Sequence, residues 1–224
     1  MSMIWADYRY LASSDYFRIT RAIVDVEERF HKIINCFYMR DSMHNTRRFE
    51  YPWVVLSLFH GMGKVLDVGS GGTSLTAYLA SINGEYYALD YSANAIMQID
   101  TIRDTLDLFN LRPVMCDAKD MTVFPDNTFD ATISVSVIEH MSKDDFKKAV
   151  GEIVRVTKSG GTILLTMDVS VTKDKDRTDL EDLMWLTDRF GIEIPSMTNT
   201  TMINMVEGSD IPFTVACIAL RGFK

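Results

Sequence analysis

The feature that most restricts the fold is the segment 64–74, KVLDVGSGGTS, in which a short apolar stretch passes directly into glycines. The apolar residues predict a strand at 64–68, and the residues after the glycines predict a helix at 73–82. In an open parallel sheet, a glycine turn between strand and helix lets a ligand approach the backbone closely. The segment therefore indicates an α/β sheet with a ligand site at the carboxyl end of this strand.

The alternation of strand and helix continues beyond this segment. Ser92 and Ser142 are placed to cap two further helices, and Ser159-Gly160-Gly161 is expected to end the second of them. Further buried strands are predicted at 86–89, 112–116, 131–136 and 162–166. This order is typical of a parallel sheet covered by helices on both faces. After a helix at 178–190, the stretches 201–206 and 213–220 predict an antiparallel hairpin at the sheet edge.

The first sixty residues have a different pattern. Apolar residues recur at helical spacing from about Ser13 to Tyr38, and Pro52–Phe59 forms a second apolar helical segment. We therefore expect a helical N-terminal cap or substrate lid at 1–60 and a ligand-binding domain at 61–224, joined in one structural unit.

Charge restricts the class of partner. The chain carries 31 acidic and 23 basic residues, for a formal net charge of −8. Nucleic-acid binding normally requires a concentrated basic patch, so we expect no nucleic-acid partner. A small molecule or a glycan is the expected partner.

Cysteine usage and hydropathy indicate the compartment. The three cysteines, Cys36, Cys116 and Cys217, lie far apart in apolar sequence, which favours buried thiols over a disulfide framework or a metal site. No apolar run reaches the roughly 18 residues of a membrane span. Asp7 and Asp15 interrupt the N-terminus where a secretory signal would be apolar. We therefore expect a cytoplasmic protein without a bound metal.

Acidic residues end three successive predicted strands. Asp67, Asp90 and Asp117 stand at these positions, and Asp90 follows Asp67 at the distance typical of an acid that binds ribose hydroxyls. Each acid alone could be a helix cap or turn residue. Together with the glycine turn, the three predict a nucleoside-containing ligand at one rim of the sheet.

Four ordered segments between about residues 60 and 167 resemble the class I, Rossmann-like S-adenosylmethionine-dependent methyltransferases. VLDVGSGGTS is similar to their first motif, YYALDYSANAI to their second, and VTKSGGTILLT to their Gly-Gly turn before the fifth strand. MCDAKDMTVFPDNTFDATISVSVIEHM resembles their adenine-binding turn, fourth strand and following helix start. The resemblance implies a doubly wound, mostly parallel sheet of seven strands with an antiparallel last strand.

The resemblance also implies which residues hold S-adenosylmethionine and its product S-adenosylhomocysteine. It places Asp67 near the amino group of the methionine part, Asp90 at the ribose hydroxyls, and Tyr91 against the adenine. The cofactor-binding residues that it implies are Asp67, Gly69, Ser70, Gly71, Asp90, Tyr91, Asp117, Ala118, Ser134 and Val135. One departure is Thr73, which replaces the usual third glycine. Because threonine can cap the next helix, we expect binding to persist.

Candidate catalytic and acceptor-binding residues lie at two places. Glu139 and His140 directly follow the fourth predicted strand and are candidates for the general base that a hydroxyl acceptor needs. A structural role as helix cap or pocket wall is the alternative. Arg48, Glu50 and Tyr51 are hypothesised to contact the acceptor or close over the cofactor, and the alternative is a solvated loop before Pro52.

Other functions remain as rivals. A nicotinamide-dependent dehydrogenase requires a glycine at position 74, where Ser74 stands. An aminopropyl transferase uses a sulfonium donor on the same fold. A catalytically inactive S-adenosylmethionine-binding partner protein also fits, because the general base is unassigned.

Overall fold

Strands and helices alternate along the chain in the computed structural model, which describes residues 4–5, 14–34, 47–58, 63–170, 180–190 and 215–223. The strands are β1 (Ile4–Trp5), β2 (Lys64–Val68), β3 (Glu85–Asp90), β4 (Leu111–Met115), β5 (Phe129–Val135), β6 (Thr157–Ser170) and β7 (Val215–Phe223). The helices are α1 (Ser14–Ile34), α2 (Arg47–Ser57), α3 (Ser74–Ile82), α4 (Ala93–Thr105), α5 (Lys143–Val156) and α6 (Leu180–Phe190). A short 3-10 helix, Ile138–His140, follows β5.

The strands form one sheet in the order β1-β7-β6-β5-β2-β3-β4. The five strands from β6 to β4 run parallel, which confirms the predicted α/β architecture. Strand β7 pairs antiparallel with β6, at the place predicted for the last strand. Its predicted hairpin partner, 201–206, lies outside the described residues. The other edge of β7 pairs at Leu220 and Arg221 with β1, a two-residue strand that was not predicted.

Each face of the sheet is covered by helices. One hydrophobic cluster joins α1, α2, α3 and α4 to the sheet, and it includes Ile19, Val54 and Val65. A second cluster joins α5 and α6 to the opposite face, through residues such as Phe146 and Leu186. Because both faces are buried, the central strands are apolar nearly throughout. Helices α1 and α2 therefore contribute to the same core as the sheet.

Side-chain caps begin helices α3, α4 and α5. The side chains of Thr73, Ser92 and Ser142 each accept a hydrogen bond from a backbone N–H three residues further on. These bonds satisfy donors that a helix N-terminus otherwise leaves without partners. All three caps were predicted from the sequence.

Two boundaries differ from the predictions. Helix α2 begins at Arg47 and not at the predicted Pro52, so the alternative of a solvated loop before Pro52 is wrong. Helix α5 ends at Val156, and β6 begins at Thr157 rather than after the glycines. Gly160 adopts a positive φ of 78° inside β6, where the register with β5 shifts. Glycine tolerates this conformation, so Gly160 accommodates an irregularity within the strand instead of ending a helix.

Of the helices within the described ranges, none is long and apolar enough to cross a membrane.

Candidate functional site

Strand order reverses at β2, which lies between β5 and β3. The pairing of β2 with β5 ends at Asp67 and Ile133, whereas β5 remains paired with β6 as far as Val135. Backbone pairing between β2 and β5 therefore stops before either strand ends. In open α/β sheets, ligands bind in the crevice at this kind of switch point.

The glycine turn begins where β2 ends. Gly69 and Gly71 have positive φ values of 74° and 55°, which L side chains rarely adopt. The N–H groups of Gly69 and Ser70 both donate to the carbonyl of Leu89, at 2.8 and 3.0 Å. A Cβ atom on Gly69 would overlap both methyl groups of Val137. The turn is thus bonded to β3 and requires glycine at position 69.

Asp90 joins the glycine turn to helix α4. Its carboxylate is 9% exposed and accepts hydrogen bonds from the N–H of Gly71 (3.2 Å) and of Ser92 (2.9 Å). Each carboxylate oxygen can accept more than one hydrogen bond, so the group can also accept from ligand hydroxyls. Asp90 therefore lies at the rim, as predicted.

Asp67 lies beneath the turn. Its Oδ2 accepts hydrogen bonds from Tyr86 Oη (2.8 Å) and Thr76 Oγ1 (3.4 Å). Burial raises the pKa of Asp67 from 3.8 to about 7, against the hydrogen bonds from Tyr86 and Thr76. Burial therefore favours the protonated form of the carboxyl group.

The segments after β3 and β4 carry the residues predicted to hold an adenine ring. Tyr91 is 82% exposed directly after Asp90. Asp117 Oδ1 accepts from the N–H of Lys119 at 2.9 Å, and Ala118 is buried. A flat exposed ring and a carboxylate therefore stand at the ends of neighbouring strands.

Two buried serines lie close to the carboxyl end of β2. Ser134 Oγ donates to the carbonyl of Val68 at 3.1 Å, which links β5 to β2 beyond their last backbone pairing. Val135, the next residue, is the last residue of β5. Ser70 Oγ is buried and has no hydrogen-bond partner among the residues that the structure describes. An unpartnered buried hydroxyl is energetically costly, which favours a ligand group at this position.

Glu139 and His140 have different environments. Glu139 is 3% exposed, whereas His140 is exposed. Burial alone would lower the pKa of Arg47, but the negative charge of Glu50 and, more weakly, that of Glu139 raise this pKa above its usual value. Glu139 is therefore shielded from solvent and acts on a nearby cation, whereas His140 is open to solvent.

Glu50 is buried rather than solvated. Burial alone would raise its pKa, but the Arg47 guanidinium and the hydroxyls of Ser136 and Thr166 lower the pKa below the usual value. Tyr51 is 3% exposed and belongs to the hydrophobic cluster below α2. The Arg48 side chain lies outside the described residues. The charge of Glu50 can be buried because it is paired with Arg47 and hydrogen-bonded to two hydroxyls.

The sequence interpretation missed Ser136, Val137 and Thr166 as part of this site. A polar residue at the end of an otherwise apolar strand, as in the segment TISVSV at 132–137, was the available signal. In the part of the chain that is described, no group of three or more His, Cys, Asp or Glu side chains is suited to a metal. Cys116 is a free, half-buried thiol and not the fully buried one expected.

Comparison with known proteins finds domains similar to the central part of this chain. Residues 66–165 match the family described as "Methyltransferase domain". Chondramide synthase of Chondromyces crocatus is 34% identical over 110 residues, which are 48% of this chain and 3% of that protein. "Probable non-canonical nonribosomal peptide synthetase (NRPS) CymA" of Salinispora arenicola is 27% identical over 106 residues, or 47% and 1% of the two chains. This chain thus spans a very small part of the curated relatives that it matches.

A solved structure shows the same fold. The SAM-dependent methyltransferase from Aquifex aeolicus superposes with a TM-score of 0.57 at 17% identity, covering 87% of this chain and 96% of that one.

Proposed function

We propose, on the premise that residues 66–165 make this chain a class I methyltransferase, that it transfers the methyl group of S-adenosylmethionine to an oxygen or nitrogen of a small molecule or glycan. The observation that carries the proposal is the glycine turn at the strand-order switch, hydrogen-bonded to the Asp90 carboxylate. This arrangement presents backbone and an acid to a nucleoside ligand.

The residues of the crevice fit the proposed cofactor. Ser70 Oγ is a buried hydroxyl without a partner in the described part of the chain, which a polar ligand group would satisfy. Asp90 would hold the ribose hydroxyls, Tyr91 would lie against the adenine, and Asp67 would face the amino group of the methionine part. Asp117, Ala118, Ser134 and Val135 complete this proposed set, with Gly69 and Gly71 giving the close approach.

The bound cofactor supplies a methyl group on a sulfonium ion, which is already activated for transfer. The chain must therefore align the acceptor and exclude water, and it must remove a proton when the acceptor is a hydroxyl. Glu139 and His140 are proposed for that proton. Because Glu139 is buried beside Arg47 and His140 is exposed, only one of them is expected to meet the acceptor.

The charge of the chain and its relatives both support the proposed acceptor class. A net charge of −8 disfavours nucleic acid. The relatives are named as a chondramide synthase and a nonribosomal peptide synthetase, which supports a small-molecule acceptor for this chain. We propose that residues 1–60 cover the acceptor, that the sheet follows the seven-stranded class I plan, and that the protein acts in the reducing cytoplasm.

Thermal stability with candidate cofactors tests the proposal. Saturating S-adenosylhomocysteine, at about 100 times its dissociation constant, should stabilise the protein by about 2.7 kcal/mol. NAD and NADP should leave the midpoint of thermal unfolding unchanged. If either nicotinamide cofactor raised the midpoint more than S-adenosylhomocysteine does, a dehydrogenase would be favoured and the proposal contradicted.

Turnover is then measured as S-adenosylhomocysteine release with panels of small amines, hydroxyl compounds and sugars. Release that depends on an acceptor confirms transfer. Cofactor binding without release for every acceptor in the panels would favour an inactive binding partner.

A further inference from the structure

Glu50 connects helix α2 to β6 and to the residue that follows β5. Its Oε1 accepts hydrogen bonds from Ser136 Oγ and Thr166 Oγ1, both at 2.6 Å, and its Oε2 accepts one from Arg47 at 2.6 Å. The carboxylate is 1% exposed. Buried charge-assisted hydrogen bonds of this length are among the stronger ones in proteins. Glu50 is therefore a fixed point between α2, β5 and β6.

Ser136 is held in an unfavourable backbone conformation. Its φ is +49°, in the left-handed region that costs an L residue about 1–2 kcal/mol. Its N–H donates to the carbonyl of Thr166 at 2.9 Å, and its hydroxyl donates to Glu50. Such a conformation persists only when neighbouring bonds enforce it. Glu50 supplies one of those bonds.

Val137 follows Ser136 and contacts the glycine turn. Its two methyl groups occupy the space that a Cβ on Gly69 would need. Gly69 is in turn bonded to the carbonyl of Leu89 on β3. A change in the backbone at Ser136 would therefore move the side chain against which the turn packs.

We propose that Glu50 is a positioning residue that acts through Ser136 and Val137 to hold the glycine turn in its ligand-binding conformation. The inference rests on the proposed function in assigning the turn to S-adenosylmethionine. Helix α2 thereby supports the cofactor site indirectly, because Glu50 is bonded to protein groups and does not contact the cofactor. The order of contacts runs from Glu50 to Ser136, then to Val137 and Gly69.

The variants are Glu50→Gln, Ser136→Ala and their combination. Thr132→Val is the matched control. Thr132 is fully buried on β5, the strand that Ser136 follows. Its hydroxyl is hydrogen-bonded to that of Thr157 and not to Glu50. We expect each single variant to weaken S-adenosylhomocysteine binding about tenfold in calorimetry, because Glu50→Gln removes the charge that strengthens the bond to Ser136 and Ser136→Ala removes the bond itself. The double variant should weaken binding no further than either single variant, because substitutions that break the same chain of contacts do not have additive effects. Thr132→Val should bind as the wild type does.

Amide hydrogen exchange gives a readout that needs no cofactor. Exchange at Gly69 and Ser70 should become faster in Glu50→Gln and Ser136→Ala but stay at the wild-type rate in Thr132→Val. Equal exchange in all variants overturns the inference, as do additive losses in binding. If the wild type does not bind S-adenosylhomocysteine, the proposed function fails, while the exchange pattern still decides whether Glu50 holds the turn.

Discussion

The Asp90 carboxylate accepts a hydrogen bond from the Gly71 amide at 3.2 Å, so the acid that ends β3 is bonded directly to the glycine turn after β2. The second oxygen of the Asp90 carboxylate accepts a hydrogen bond from the N–H of Ser92, the residue that caps α4. Three segments of the site therefore share one buried acid. Removing that acid should alter both the turn and the ligand contact.

Asp90→Ala should weaken S-adenosylhomocysteine binding. A hydrogen bond to a charged group contributes about 1.5–3 kcal/mol, which corresponds to roughly 10- to 150-fold in affinity. The dissociation constant is measured by calorimetry. Asp104→Ala, which removes an exposed acid of α4 paired with Arg103, serves as control and should bind normally. An unchanged affinity for Asp90→Ala would show that the ligand does not use this carboxylate.

Burial of Asp67 should make folding stability depend on pH. Its pKa is raised from 3.8 to about 7 in the folded protein, so the unfolded chain ionises first as pH rises. The folded state then loses stability between about pH 4 and pH 7, by up to about 1.4 kcal/mol per pH unit. Below that window both states are protonated and the penalty is absent.

Urea unfolding of the wild type and Asp67→Asn measures this dependence. The free energy of unfolding of the wild type, relative to that of Asp67→Asn, should be greater at about pH 5 than at about pH 8. The substituted amide has no charge to lose, so the difference isolates this one group. A difference that is constant with pH would mean that Asp67 is ionised throughout.

Thr73 should stabilise α3 as its cap. Thr73 Oγ1 accepts from the Thr76 N–H at 3.1 Å. Thr73→Ala should lower the free energy of unfolding by about 1 kcal/mol, whereas Thr73→Gly should lower it by only a few tenths. Thr73→Ser should keep the wild-type midpoint in urea. Equal midpoints for the alanine and serine variants would contradict the capping role.

Gly69→Ala should disturb the turn more than an ordinary glycine substitution. The positive φ of 74° costs an alanine about 1–2 kcal/mol, and its Cβ would overlap Val137. Adding Val137→Ala should recover part of the loss by removing the overlap. The measurement is the midpoint of thermal unfolding.

Gly151→Ala is the matched control for this substitution. Gly151 lies within α5, and a Cβ there would meet no atom within 4 Å. Alanine favours a helix over glycine by about 1 kcal/mol, so this variant should be more stable than the wild type. If Gly69→Ala is equally well tolerated, the turn is not restricted by Val137.

Local patterns predicted much of this molecule. The strand-glycine-helix segment at 64–74 and the caps Thr73, Ser92 and Ser142 depend on near neighbours in sequence, and all were found as expected. The position of Asp90 at the rim follows from where a short parallel strand ends. Strand boundaries around Gly160 were wrong because glycine serves equally in a turn and in an irregular strand.

The sequence by itself determined the α/β architecture, the glycine turn and the acids at the rim, because strand period, glycine and acid spacing act over short distances. Only the tertiary structure decided that Glu50 is buried and bonded to Ser136 and Thr166. An acid between Arg47 and Pro52 predicts solvent exposure when its neighbours in sequence are considered alone. Its burial depends on the hydroxyls of Ser136 and Thr166, which come from distant parts of the chain and which, together with the charge of Arg47, offset the loss of water around the carboxylate.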